Sequence, residues 1–565
     1  MRILCCLCLV LLTGGLLSAQ TVLWGPGSTR GFQAGKAGPQ TLVRDSGGSL
    51  YVIYRYQVST INTEWRLAIG QSKDKGATWN MTWQTGFDSY TVGGYGNLYP
   101  CMAIDSKDNL HCAWWTRGTS TSYYTRYNRF DAANQTWGTE WAVSTSSHRS
   151  VPCLAVDQND YVWFAYNKPS YQTYLDRSNL PFASDGKFTR YAPTFPGGGS
   201  SSSNFEMAVD AANRLHVTYY DATASTSGGG AGVKHRWIDP GASTPTWSAK
   251  ADLSFHSGDY ARAEYESSLS ADNAGNMYVI YTVDSQGGNS SRTKDTEFYL
   301  RKWDSFTQKW GNPVLVHSVP ITVWHPGYLT STKDYNSGVI IGSACDETTG
   351  ELYFTYRDFT SGDFVLGRWR GDDTEPHSIY AKLMNTAPLP PTNRNYFFAP
   401  HFRGSLWPKS NRTSWGLDLM YVAGDQTTAK IYTDYFEHFP LASMNSTGVP
   451  KIGTVYTLDL NSIEEGSQNY VAAATMSGLM SMIQVKRRFI PLVADTLFYT
   501  SVLNLLPTIF VDFIGGLDPN GMGKAKIAIP NLGILVGANI DCCFVTYDGT
   551  GLRAISNPWN FLITN

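Results

Sequence analysis

The chain has 565 residues, 16% of them charged, and a formal net charge of −2 at pH 7. Near-neutrality without a basic run argues against nucleic acid or an anionic membrane as the main partner. Of the nine cysteines, Cys5, Cys6 and Cys8 lie in the N-terminal apolar run; the other six are too sparse for a disulfide scaffold and show no CxxC or Cys/His zinc spacing, so neither metal nor cofactor is expected.

Residues 1–19 read as a secretory signal: Met1-Arg2, an apolar run through Leu17, and the small-residue site Leu17-Ser18-Ala19 before Gln20. No second apolar span follows, so the expectation is a secreted or cell-surface protein without a transmembrane segment. Residues 21–35 precede the first repeat and are expected to add an outer strand to the last one.

From residue 40 to 360 one phrase recurs six times: an apolar run, an Asp, a polar turn, and an aromatic nine or ten residues after the Asp. The pairs are Asp45 and Tyr54, Asp105 and Trp114, Asp157 and Tyr166, Asp210 and Tyr219, Asp272 and Tyr281, and Asp346 and Tyr356. Alternating apolar residues on both sides of a tight turn predict a β-hairpin. The Asp-to-Asp spacings of 60, 52, 53, 62 and 74 residues exceed helical solenoid repeats and suit four-stranded propeller blades. A degenerate seventh unit is expected over about 393–440, with Tyr396-Phe397-Phe398 and Gly416–Tyr421 as strands; six blades is the alternative count. Cys101 and Cys153 occupy equivalent places in successive repeats, and Cys101 could instead face Cys112 across its own hairpin. One disulfide and buried free thiols both stay open.

Near residue 445 the texture changes. The propeller is therefore assigned to 20–445 and a second, β-sandwich-like domain to 450–565, where Val, Leu and Ile runs alternate with turn signals such as Asp518-Pro519-Asn520-Gly521. The tail lacks clustered His, Asp or Glu, which argues against catalysis there. Around Phe489–Leu492 and Ile527–Pro530 it resembles a C-terminal β module of exported bacterial proteins, which implies cell-surface association.

Ser72-Lys73-Asp74-Lys75-Gly76-Ala77-Thr78-Trp79 resembles the Asp box of sialidase-like propellers. In that family the Asp box joins the third and fourth strands of a blade, on the face opposite the active site. The resemblance thus implies an all-β, sialidase-like propeller whose working face is built by segments leading into each inner strand and by loops joining second to third strands. No Arg-Ile-Pro motif of true sialidases is present, which disfavours the exo-sialidase alternative.

The chain also resembles the sialidase-like repeat family that contains the propeller-type ulvan lyases. The carrying segments are His148-Arg149-Ser150-Val151-Pro152, Tyr174 through Pro181, and the spacing of Tyr220 and Arg236. The repeat claims Tyr219, so strand alternation sets Tyr220 on the other face as an extra tyrosine. The resemblance implies His148 or Tyr220 as base, Tyr220 as acid and Arg236 as the clamp on a uronate carboxylate. Arg149, Asn167, Lys168, Glu206, Arg262 and Tyr335 are the expected substrate-binding residues. An Asn of the family motif is replaced by Arg149, and Asn167-Lys168 stand where a second His is expected. The expected function is to act on or bind an anionic polysaccharide, with β-elimination, a non-catalytic glycan-binding propeller and an exo-sialidase as competing forms.

Overall fold

The computed structural model describes strands and turns from Thr21 to Asn565 except for connecting segments. The longest of those are 1–20, 24–40, 58–64, 81–99, 118–122, 145–151, 168–172, 192–202, 222–231, 255–266, 320–340, 358–363, 371–376, 383–415 and 424–429. Two compact units divide the chain: Gln20–Glu375 with Lys382–Phe436 form one, and Glu437–Asn565 form the main part of the other.

In the first unit, antiparallel sheets follow one another along the chain, and their first strands are Leu42–Arg44, Cys101–Ile104, Cys153–Val156, Ser203–Val209, Ser267–Ala271, Ile341–Asp346 and Gly416–Ala423. We number these sheets 1 to 7. The first strands of sheets 1 to 6 lie beside one another in order, and that of sheet 7 lies beside that of sheet 1. The ring closes through the N-terminus, because Thr21–Leu23 pairs antiparallel with Lys430–Glu437, the second strand of sheet 7. This is an all-β propeller. Tyr396-Phe397-Phe398 lies outside the described residues.

Apolar burial is divided among seams, because each sheet has two faces and each face needs a neighbour. Tyr51, Ile53, Met102 and Trp114 fill the seam between sheets 1 and 2. Cys101, Tyr127, Phe164 and Tyr166 fill the next, and Cys153, Trp163, Met207 and Tyr219 the one after. The same logic separates the thiols. Cys101 pairs with Ala113, so Cys112 sits one residue out of register and belongs to the opposite face. Cys101 and Cys153, being equivalent positions, each face the following sheet and therefore occupy different seams. All six cysteines beyond residue 20 are buried free thiols.

The repeated Asp organises its turn in a fixed way. Its Oδ1 accepts the backbone N–H four residues on, from Ser49, Asn109, Tyr161, Arg214 and Asn276, at 2.7 to 3.0 Å. Its Oδ2 accepts from the ring six residues on: Tyr51, His111, Trp163, His216 and Tyr278, at 2.9 to 3.1 Å. Sheet 6 has Leu352 at that place, buried in its seam. The third turn residue takes a positive φ: Gly48, Asp108, Asp160, Asn213 and Gly275. Glycine, Asn and Asp are the residues that tolerate it.

Neighbouring turns are also stapled together. Asp108 accepts the N–H and hydroxyl of Ser46, Asp160 those of Ser106, and Asn213 the N–H of Gln158. A second set of turns lies at this end, between third and fourth strands. There Asp74 accepts from Ser72 and Thr78, Asp131 caps Asn134 and Asp304 caps Thr307. Trp137, Trp247 and Trp310, which follow such turns, pack into three different seams.

In the second unit, Ser443–Thr447, Val455–Asn461, Met522–Ala528 and Phe510–Val511 form one sheet. Asn469–Thr475 and Asn539–Asp548 centre another. Residues from both share one core that includes Tyr456, Leu458, Ala472, Phe513, Cys542 and Phe544, so the sheets pack as two layers. A short helix, Thr496–Val502, is capped by Asp495, whose side chain accepts the Phe498 N–H.

Candidate functional site

Antiparallel strands reverse direction at each connection, so the Asp turns and the third-to-fourth turns share one end of the propeller. The opposite end, here the loop end, receives the segments leading into each first strand and the connections from second to third strands. The last residues of the second strands of sheets 1 to 6 lie at that end: Gln57, Arg117, Asn167, Asp221, Val283 and Arg357. Each pairs with the first or second residue of its third strand, as in Asn167 with Thr173 and Asp221 with Gly232. Five of those six residues are polar or charged, whereas the strand middles are apolar.

Sheet 4 departs from regularity at this end. Ser203 pairs with Tyr220 and Glu206 with Thr218, so three steps on the first strand oppose two on the second. The extra residue makes a β-bulge, a device that bends a strand and re-aims its side chains. Phe205 and Met207 pack toward sheet 3, which leaves Glu206 on the face toward sheet 5, where it is buried at 4% exposure. On that same face the Thr218 hydroxyl meets the Ser267 hydroxyl of sheet 5 at 3.0 Å. In the next seam Ser343 donates its N–H to the Ser268 hydroxyl at 3.0 Å, and its own hydroxyl lies 3.0 Å from Ser268 and 3.1 Å from Ser270. A buried carboxylate and a run of hydroxyls therefore line the first strands of sheets 4 to 6.

Of the residues expected from sequence, His148, Arg149, Lys168, Arg262 and Tyr335 lie outside the described residues. Asn167 ends its strand at the loop end, and Tyr220 is one residue from the end of its own. Glu206 lies two strand positions from Tyr220 across the bulge. Arg236 is set apart from this group. It pairs with Val217, three residues from Tyr220, which is about 10 Å along the strand. The odd offset also assigns the two positions to opposite faces of the sheet. Its Nη1 donates to the Ser248 carbonyl at 2.7 Å, which fastens the segment before the fourth strand. Arg236 and Tyr220 are thus not brought together as clamp and acid.

The ring six places after the Asp of sheets 1 to 5 belongs to none of the motifs read from the sequence. Sheet 4 elaborates it most. His216 Nε2 lies 3.1 Å from Asp210 Oδ2, and His216 Nδ1 lies 3.0 Å from His235 Nε2. Trp310 of sheet 5 donates its indole N–H to His235 Nδ1 at 3.1 Å. Burial lowers both histidines, with Asp210 partly opposing it at His216 and the neighbouring His216 adding to it at His235. For Asp210, burial acts upward, but the bonds from His216 and Arg214 outweigh it and hold the carboxyl below the ordinary range. Aligning the repeats on Asp and reading the sixth place would have revealed these rings. No group of three or more potential metal ligands occurs among the described residues.

No protein-family model matches the chain, and no curated relative matches it. Solved structures resemble it at low identity. One is the "Hadza microbial sialidase Hz136", 11% identical with a TM-score of 0.36 over 60% of this chain and 66% of that one. Another is AofleA from Arthrobotrys oligospora, at 9%, 0.32, and 60% and 87% of the two chains. A third is a subtype N11 neuraminidase-like protein of A/flat-faced bat/Peru/033/2010, at 9%, 0.26, and 50% and 92%.

Proposed function

We propose that this chain is an exported carbohydrate-acting propeller that takes an anionic polysaccharide at its loop end. The observation that carries this reading is the chain's polarity from end to end. The Asp turns saturate their own polar groups at one end, while Arg117, Asn167, Asp221, Arg357 and the bulge with Glu206 stand at the other. A charged glycan needs cations for its carboxylates and buried acceptors for its hydroxyls.

The catalytic form of the reading is β-elimination, with His148 or Tyr220 removing the proton at C5 of a uronate and Tyr220 protonating the leaving oxygen. The carboxylate clamp is assigned to Arg149, Lys168 or Arg262, because Arg236 is engaged with Ser248. The test is to incubate the full chain with a panel of uronate polysaccharides and follow the absorbance of unsaturated uronate ends. His148→Ala and Tyr220→Phe are each expected to lower the rate at least ~100-fold with binding kept. Binding without new unsaturated ends in the wild type would reduce the protein to a glycan-binding propeller, and absence of binding to any anionic polysaccharide would overturn the reading.

A further inference from the structure

The hydrogen bonds across the seam between sheets 4 and 5 have a single consistent direction. An indole nitrogen can only donate, so Trp310 fixes His235 Nδ1 as an acceptor and places the His235 proton on Nε2. That N–H points at His216 Nδ1, which must therefore accept, so His216 carries its proton on Nε2 and donates to Asp210. Every donor and acceptor is used and both rings are neutral. The ring contacts agree with a closed arrangement: His216 and His235 stack at 5.2 Å, and Trp303 and Trp310 of sheet 5 meet them edge-on at 4.8 and 5.0 Å.

One more proton cannot be accommodated within this chain. On His235 Nδ1 it would set N–H against the Trp310 N–H. On His216 Nδ1 it would set N–H against the His235 N–H, and His235 could yield only by moving its own proton to Nδ1, which again opposes Trp310. The charged groups against the two rings are Asp210 and Arg214, both from the sheet 4 turn, while sheet 5 contributes Trp303 and Trp310. Arg214 already holds Asp210 at 2.6 Å, so the carboxylate is committed.

We propose that the Trp310–His235–His216–Asp210 chain is a proton-operated latch on the seam between sheets 4 and 5, closed while both rings are neutral and released by one added proton. His235 pairs with Thr218 in the ladder, so the latch lies on the same face as Thr218 and Glu206, and its release loosens the wall beneath them. The sign follows from the lowered histidines. The unfolded or opened state takes up the proton first, so the stabilisation is full above the ordinary histidine value of about 6.5 and is lost as pH falls below it.

The test is hydrogen exchange on the full chain from pH 7.5 to 5, corrected for the intrinsic rate and read on 277–283 and 296–304 of sheet 5, with 162–167 of sheet 3 as control. His216 and His235 are both lowered in the closed seam and both take up a proton on opening, so the loss of protection approaches ~100-fold per pH unit in sheet 5 below pH 6.5, with the control segment changing less. His235→Gln keeps the direction of the chain, since its amide oxygen can accept from Trp310 and its NH2 can donate to His216. It is expected to keep neutral-pH protection and to cut the limiting response to ~10-fold per unit, because His216 alone is then left to take up a proton on opening. If His235→Gln does not fold, Trp310→Phe serves: it starts less protected at neutral pH and, with no donor facing His235 Nδ1, responds less steeply than the wild type. Equal slopes in the wild type and either variant, or no loss in the wild type down to pH 5, would overturn the latch. None of these readouts uses a substrate, so the outcome is independent of the proposed carbohydrate function.

Discussion

The C-terminal unit contains an ion pair whose removal from one side and from both sides should give different results. The Glu465 carboxylate is fully buried and receives Arg553 Nε at 2.7 and 3.0 Å, Nη2 at 2.9 Å and the Thr546 hydroxyl at 3.1 Å. Arg553→Met keeps most of the aliphatic stem and deletes every donor but Thr546. Abandoning one partner of a buried pair costs about 3–5 kcal/mol. The Arg553 side chain is 38% exposed, so water can follow into the gap and the lower figure of about 3 kcal/mol applies. Hydrogen exchange of Asn469–Thr475 and Asn539–Asp548 reads this as protection lowered on the order of 100-fold. In Glu465→Gln/Arg553→Met the only carboxylate that loses Arg553 is Asp548, which is partly exposed and keeps the Gly551 N–H, so most of the loss should be recovered. A single variant within ~3-fold of wild type, or a double variant as damaged as the single, would refute the reasoning, because the stranded carboxylate would then not be the source of the cost.

Two further outcomes are expected in the propeller. Asp160 accepts two bonds from Ser106 at a φ of 62°, so Asp160→Ala should cost about 1–2 kcal/mol and Asp160→Gly less, since glycine takes that φ without strain; a calorimetric loss under ~0.5 kcal/mol in both would contradict the staple, and an order of Gly below Ala would contradict the role of φ. Cys101, Cys112, Cys153, Cys345, Cys542 and Cys543 are buried free thiols, with burial raising Cys112, Cys542 and Cys543. Native protein should therefore resist alkylation at all six, and mass spectrometry after unfolding should find each one labelled; a disulfide-linked peptide would contradict the assignment to separate seams.

Legibility differed sharply between the two ends of the propeller. Turn chemistry is local: Asp210, its Oδ1 bond to the Arg214 N–H and the hairpin around them span a few residues, so sequence alone marks them. The Thr218–Ser267 and Trp310–His235 contacts join residues 49 and 75 apart, and nothing in either local segment announces the other. Arg236 shows the same limit. Its distance from Tyr220 in sequence matched a family spacing, yet the ladder register decided which face and which partner it received. The cysteines had two open pairings because sequence period gives equivalent positions, and only the rotation from sheet to sheet shows that equivalent positions cannot meet.

The sequence by itself determined the hairpins, their order, the φ-tolerant turn residues and which end of each hairpin carries the Asp, because a period-2 pattern and a tight turn are settled within ten residues. It also set the change of texture near residue 445. The tertiary structure decided what those repeats do to one another: that Thr21–Leu23 completes sheet 7, that turn residues staple neighbouring sheets, and that His216 and His235 form one directed chain with Trp310. These depend on the side chain that the next sheet presents across a seam, and that is fixed by packing between segments far apart in the chain.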